Sequence, residues 1–388
     1  MSKDAERPES IFPINADPRR YLINKCPFPL NTPAQYPAKQ EEVVFDASKH
    51  LAQPLEIPAH IKILQSNPSA GEGCVKLVEV DTLTHERKTH VENLAYTAPF
   101  RVLSDEGVKA FHTVISNNED LTISTPRNPK FIRALAYTSK FVRDLNECDE
   151  MLDHLSKFAN VDIAPHPMVT NYSQINYGEP PEEVEDGSGG TVPAAPADVW
   201  HLDSVDYVLV IMLTEGFEGG ELLVSNMDPN QAMERIRAND LPDELTSRIK
   251  YPKAGYGIFM QGCRIAHAVA PLTGGKTQRI TAVNSYSSRD SFRIDRPSIY
   301  NALSQNHSKD VYDSEYLRSI AWRCRGKLDY LIENPQFEDL DRADDILGVI
   351  IDQLSLARRL MKGEESYDAP LPEDIKMEQG GFESVGQK

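Results

Sequence analysis

From residue 207 to residue 286 the chain is a succession of short apolar segments cut by glycines. Residues 207–213 read Tyr-Val-Leu-Val-Ile-Met-Leu; then come 221–224 behind Gly219-Gly220, 255–260, 268–272 and 279–286. None reaches the ten to twelve residues at which an apolar run favours a helix, so each is expected as a strand. Several short strands with glycine turns between them predict a β-sandwich or jelly roll. Residues 229–253 interrupt the series as a helical or irregular insertion.

Upstream, 60–65 and 74–80 alternate apolar and polar residues around the turn signal Asn67-Pro68-Ser69-Ala70-Gly71, as half-buried strands do. Residues 168–177 are expected as a polar strand whose Gln174, Asn176 and Tyr177 line a wet cavity. Ser104 suits a helix N-cap ahead of Asp105 and Glu106, which favour the positive end of a helix over 107–116. A second helix is expected at about 138–158, from Phe141, Leu145, Met151, Leu152 and Leu155. A helical pair follows at 312–333 and 337–361, broken at Asn334-Pro335, with Leu340, Ile346, Leu347, Ile350, Leu354 and Leu360 marking one apolar side. This pair packs on the core or joins two copies in a homodimer; the sequence leaves both open.

The expected class is therefore α+β, a jelly-roll core backed by helices. Its divisions are an N-terminal arm with flanking strands (1–95), the core (96–300), the helical extension (301–362) and an acidic tail (363–388). Residues 178–198, rich in Gly, Pro and Glu, read as a lid or as a plain insertion.

Composition removes several functions. A formal net charge of −18 repels phosphates and anionic head groups, so neither nucleic acid nor membrane is an expected partner. The five cysteines are scattered and form no Cys-x-x-Cys, which argues against a disulfide framework or a structural zinc site. The charged start, Met1 to Arg7, lacks an apolar core, so a cytoplasmic protein is expected.

Trp200-His201-Leu202-Asp203 and His267-Ala268-Val269-Ala270-Pro271 carry the chemistry. Positions i and i+2 of a strand share a face, so His201 and Asp203 can address one point. His267 lies 66 residues further on and Arg279 another 12. Two histidines and a carboxylate form the ligand set of a mononuclear non-haem iron site with open positions.

These motifs, with Pro99–Glu106, Gln174-Ile175-Asn176-Tyr177-Gly178 and Gly219-Gly220-Glu221-Leu222, resemble the Fe(II)/2-oxoglutarate-dependent dioxygenase superfamily, and most its prolyl-hydroxylase-like branch, over about 97–290. The resemblance implies a double-stranded β-helix core, Fe(II) as the metal, and 2-oxoglutarate and O2 as co-substrates. His201, Asp203 and His267 would bind the iron. Arg279 would pair with the distal carboxylate of 2-oxoglutarate through its planar fork, aided by Thr281 and Tyr177, with Asn176 and Gln174 as helpers. Many members of that branch use a lysine here. Lys276 is close, but Arg279 is preferred because it lies inside the apolar strand. Asp206, Tyr207, Arg289 and Arg293 are candidate substrate contacts. The expected activity is oxidation of a C–H bond of a small polar metabolite, such as a free amino acid, with release of succinate and CO2. The outcome would be hydroxylation, desaturation or oxidative cyclisation. The competing expectations are a prolyl-type protein hydroxylase and a metal-binding ligand sensor with no catalysis.

Overall fold

The structure, a computed structural model, describes residues 21–40, 43–71, 74–82, 93–124, 128–183, 191–192, 196–293, 309–335 and 339–364. The middle of the 178–198 segment, where a lid would lie, falls outside them, as does the tail beyond 364.

Two antiparallel sheets face each other. The large one runs, edge to edge, Val75–Asp81, His60–Ser66, Leu94–Thr97, Tyr256–Met260, Tyr207–Met212, Arg279–Ser288, Gln174–Gly178, Phe131–Ile132 and Thr122–Ile123. The small one runs Asp198–His201, His267–Val269, Leu222–Ser225 and Thr246–Ile249. From Gln174–Gly178 to Arg279–Ser288, the eight strands that belong to these two sheets fall, in chain order, large, small, large, small, small, large, small, large.

The pleat of the large sheet separates two environments. Tyr207, Leu209 and Ile211, with Ala282 and Tyr286, pack outward against helices Asp105–Ser116, Lys140–Glu147 and Asp149–Ala159. Phe111, Phe141 and Leu155 meet them there, fully buried; each such side chain contributes roughly 1.5–3 kcal/mol. Val208 and Val210, with Thr281 and Val283, face the small sheet across a cavity.

The expected strands at 60–65 and 74–80 form and pair with each other. Ser104 caps the first helix by accepting from Gly107 N at 2.9 Å. Three expectations change. The 138–158 helix is two helices, because Cys148 takes an extended conformation (ψ 119°) between them. Only Gln174–Gly178 of 168–177 is a strand; Val169–Asn171 is a 3-10 turn. The 268–272 strand splits before Pro271, which has no N–H for the ladder: His267–Val269 stays in the small sheet, and Leu272–Gly275 pairs with Phe217–Gly219. The 229–253 insertion holds the helix Pro229–Arg237 and the strand Thr246–Ile249.

The first C-terminal helix, Lys309–Glu333, belongs to the core. Its buried Glu315 accepts from Tyr137 Oη at 2.6 Å and from Thr170 N. Trp322 donates to Asn24 O of the N-terminal arm at 2.8 Å. The second, Leu340–Lys362, rests on the first through Ile346, Ile350, Ala357 and Leu360. Leu340, Leu347 and Leu354 do not share that side, being 73%, 41% and 39% exposed, so the six residues expected on one face divide between two. No described helix is long and apolar enough to cross a membrane.

Candidate metal centre and its cavity

His201 ends the outer strand of the small sheet, and His267 begins the next. Backbone register sets the two directly opposite one another, with ring centroids 4.1 Å apart. Asp203 follows just past the strand end, its N–H donating to Gly262 O at 2.9 Å. His201 Nε2 lies 3.4 Å from Asp203 Oδ1 and His267 Nε2 3.6 Å from Asp203 Oδ2. One ligand atom from each of the three residues lies within 4.8 Å of the others.

The tautomers follow from the outer hydrogen bonds. His201 Nδ1 sits 2.6 Å from Val199 O and His267 Nδ1 3.0 Å from Ile265 O. A carbonyl only accepts, so Nδ1 carries the proton in both rings and each Nε2 lone pair points inward, the arrangement that orients histidine ligands. Burial first, and the neighbouring His201 second, push the His267 pKa down to about 4, which keeps the ring neutral. Two ligand atoms about 2.1 Å from one ion and at right angles to it lie about 3 Å apart. The donor set and its spacing therefore fit a divalent transition metal with ligands on one side only.

Gly262 makes room for this arrangement. A Cβ at that position would overlap the Asp203 carboxylate, coming within 2.6 Å of its Cγ. Sequence reasoning missed Gly262; its one trace is a lone glycine right after an apolar strand.

Arg279 is 1% exposed. Its Nε donates to Gly220 O at 2.9 Å and its Nη1 to Thr281 Oγ1 at 3.4 Å. Gly220, at φ +69°, lets its backbone approach this closely; a Cβ there would lie 2.8 Å from Arg279 Cδ. Burial lowers the Arg279 pKa, and Tyr251, Asp198 and Glu221 raise it in turn. Among the described residues no carboxylate lies within ion-pair distance of the guanidinium. A buried guanidinium with donors to spare has the chemistry to pair with an anion. Lys276, the alternative, is exposed.

Arg279, Thr281, Val283 and Ser285 line the cavity at every second position of their strand. Gln174 and Asn176 line it from the neighbouring strand, and Asp198, Ser204, His201, Asp203 and His267 line it as well. Its volume is about 120 Å³. Tyr177 does not line it. The pleat turns the ring to the helix-covered face, against the core and 4.6 Å from Lys130 Nζ.

The four candidate substrate contacts are also placed elsewhere. Tyr207 faces the helices and stacks on Phe259 at 5.4 Å. Asp206 is buried, accepting from Ser288 N at 3.0 Å and pairing with Arg323 at 3.4 Å and Arg293 at 3.5 Å. Arg293 further donates to Tyr207 Oη at 2.9 Å and Gln261 Oε1 at 3.0 Å. Arg289 donates to Ile23 O at 2.6 Å and pairs with Asp162 at 3.5 Å. These groups clamp the end of the long strand to the arm and to the first C-terminal helix. None of the four lines the cavity.

No family model matches this chain, and no curated protein does. Among solved structures it is similar to the non-heme alpha ketoglutarate dependent epimerase SnoN from nogalamycin biosynthesis, at 14% identity over 50% of this chain and 78% of that one, with a TM-score of 0.35. It is similar to a Pseudomonas putida prolyl-4-hydroxylase at 13% identity, over 50% and 91% of the two chains, with a TM-score of 0.33. EctD from S. alaskensis with bound Fe is 17% identical over 50% and 72%, with a TM-score of 0.34. Likenesses this distant do not assign an activity, so the chemistry is read from the residues themselves.

Proposed function

We propose that this chain is an Fe(II)- and 2-oxoglutarate-dependent dioxygenase that oxidises a C–H bond of a small polar metabolite. One observation carries this reading: a two-histidine, one-carboxylate set and a buried, unneutralised arginine share a single cavity. The metal set alone suits many redox or hydrolytic sites. The added cation calls for an anionic ligand beside the metal, and 2-oxoglutarate offers a chelating end and a distal carboxylate. The alternation of eight strands between two facing sheets supports the expected jelly-roll, double-stranded β-helix core.

When bound, Fe(II) with 2-oxoglutarate and O2 supplies the oxidising chemistry, and the co-substrate leaves as succinate and CO2. The protein holds and shields. His201, Asp203 and His267 would hold the metal, and three protein ligands would leave room at it for co-substrate and O2. The Val199 and Ile265 carbonyls fix both rings. Arg279, steadied by Gly220 O and Thr281, orients the distal carboxylate. Val205, Val208, Val210 and Val269 give the cavity an apolar wall that excludes water. Both sheets and Tyr312 of the first C-terminal helix wall the cavity, which supports a small molecule over a protein partner.

The purified protein, freed of metal and resupplied with Fe(II), 2-oxoglutarate and air, is expected to convert 2-oxoglutarate to succinate. Omitting either Fe(II) or 2-oxoglutarate should stop it. Succinate that accumulates at the same rate without Fe(II) would refute the reading.

A further inference from the structure

The cavity has a second cationic end. Phe131–Ile132 pairs with Gln174–Gly178 so that Phe131 meets Asn176 and Ile132 meets Ile175, which brings Arg133 level with Gln174. Gln174 in turn pairs with Val283, four residues along the strand from Arg279. At roughly 3.4 Å per residue, the two arginines stand about 14 Å apart along the cavity floor.

Arg133 lines the cavity and is held from behind. Its Nε donates to Gln174 Oε1 at 2.6 Å, and its guanidinium carbon lies 5.5 Å from the Phe131 ring centroid; Tyr312 lines the same cavity. Among the described residues no carboxylate forms an ion pair with it. Glu315, on the same helix as Tyr312, is already engaged by Tyr137 and Thr170. A guanidinium carries five N–H groups, so donors remain for a ligand. The cavity lining also includes Asn128, Asn171 and Asn176, neutral groups that both donate and accept. In a chain of net charge −18, a cation kept in a cavity without an acidic partner among the described residues selects for an anion brought from outside.

We propose that Arg133 is the specificity-determining anchor of this pocket, and that the substrate is a small carboxylic acid whose acid group pairs with it at the end opposite Arg279. This rests on the dioxygenase reading above and names its substrate class. The acid's own polar substituents meet the asparagine amides. Its carbon chain runs along Val283 and Val210 toward His201, Asp203 and His267, where a C–H bond is presented. Arg279 holds the co-substrate and Arg133 the substrate, so two carboxylates are sorted to two ends of one cavity.

The test uses the full chain with Fe(II) and 2-oxoglutarate under anaerobic conditions. It is titrated with the common L-amino acids, the matching α-hydroxy acids, and the primary carboxamide of each. Binding is read from perturbation of the visible iron–2-oxoglutarate band, and coupling from succinate formed after air is admitted. Acids in the panel are expected to bind and to stimulate succinate formation, and their amides to bind at least about tenfold more weakly, as loss of a charged partner requires. Arg133→Gln should erase that preference by weakening the acid and sparing the amide, and Arg133→Lys should restore part of it. In both variants the band with 2-oxoglutarate alone should form as before, which shows the pocket intact. Amides that bind as well as acids, an Arg133→Gln variant that keeps the acid preference, or a panel in which no acid binds would each overturn the assignment. A wild-type protein that forms no band at all would instead overturn the dioxygenase reading beneath it.

Discussion

Gly262→Ala is expected to weaken metal binding by at least about a hundredfold, the upper end of what loss of a ligand's support costs. The fold should survive the change. The new methyl group enters the space of the Asp203 carboxylate, and that carboxylate has nowhere equivalent to go: its backbone is tied to Gly262 O, and both oxygens face the histidine Nε2 atoms. The methyl therefore turns Asp203 out of the site and leaves two histidines. Calorimetric titration of the metal-free protein with Fe(II) or Zn(II) measures the effect, and the far-ultraviolet circular dichroism should match wild type. A Kd within threefold of wild type would show that Asp203 does not need this space.

Arg279→Met is expected to raise the Kd of 2-oxoglutarate by roughly a hundredfold, about 3 kcal/mol, as removal of one partner of a buried charge pair does. Metal affinity should hardly change, since the hydrogen bonds that Arg279 makes go to Gly220 and Thr281 and not to His201, Asp203 or His267. The expected effect on folding is the unusual part. Among the described residues the guanidinium is a buried charge with no ion-pair partner, and replacing such a charge with an apolar side chain of similar length costs little stability or adds to it. Lost affinity with an unchanged or raised melting temperature would mark Arg279 as a binding group. A variant that melts well below wild type would make it a structural one. Lys276→Ala serves as the comparison and should leave the Kd within about twofold, because Lys276 is exposed.

The metal set was legible because its information is local. His201 and Asp203 sit two apart at a strand end, and His267 opens the next apolar segment, so two pieces of sequence sufficed. The burial of Arg279 was legible for a similar reason: it begins a strand that must be buried, whereas Lys276 sits in a Gly-Gly turn. The sidedness of aromatic residues was not legible. Tyr177 and Tyr207 carry hydroxyls and stand near the site in sequence, which favoured the cavity. In a sheet covered on both faces, alternation gives two sets of positions without saying which set meets which layer. The helices claim the larger rings, and the cavity takes Gln174, Asn176 and Val208 instead. Asp206, Arg289 and Arg293 looked available for substrate because their partners, Arg323, Asp162, Gln261 and Ile23, come from distant parts of the chain. Arg133 and Gly262 were invisible for the same reason. Pairing of one short strand with another brings Arg133 to the cavity, and a close approach of two turns fixes the need for glycine at 262.

The central claim is that the three metal-binding residues and Arg279 together hold Fe(II) and 2-oxoglutarate. Anaerobic addition of Fe(II) and then 2-oxoglutarate to the metal-free protein tests it most directly. The account predicts a visible charge-transfer band that appears only when both are present and saturates at one iron per chain. Stoichiometric Fe(II) binding with no band at saturating 2-oxoglutarate would contradict it.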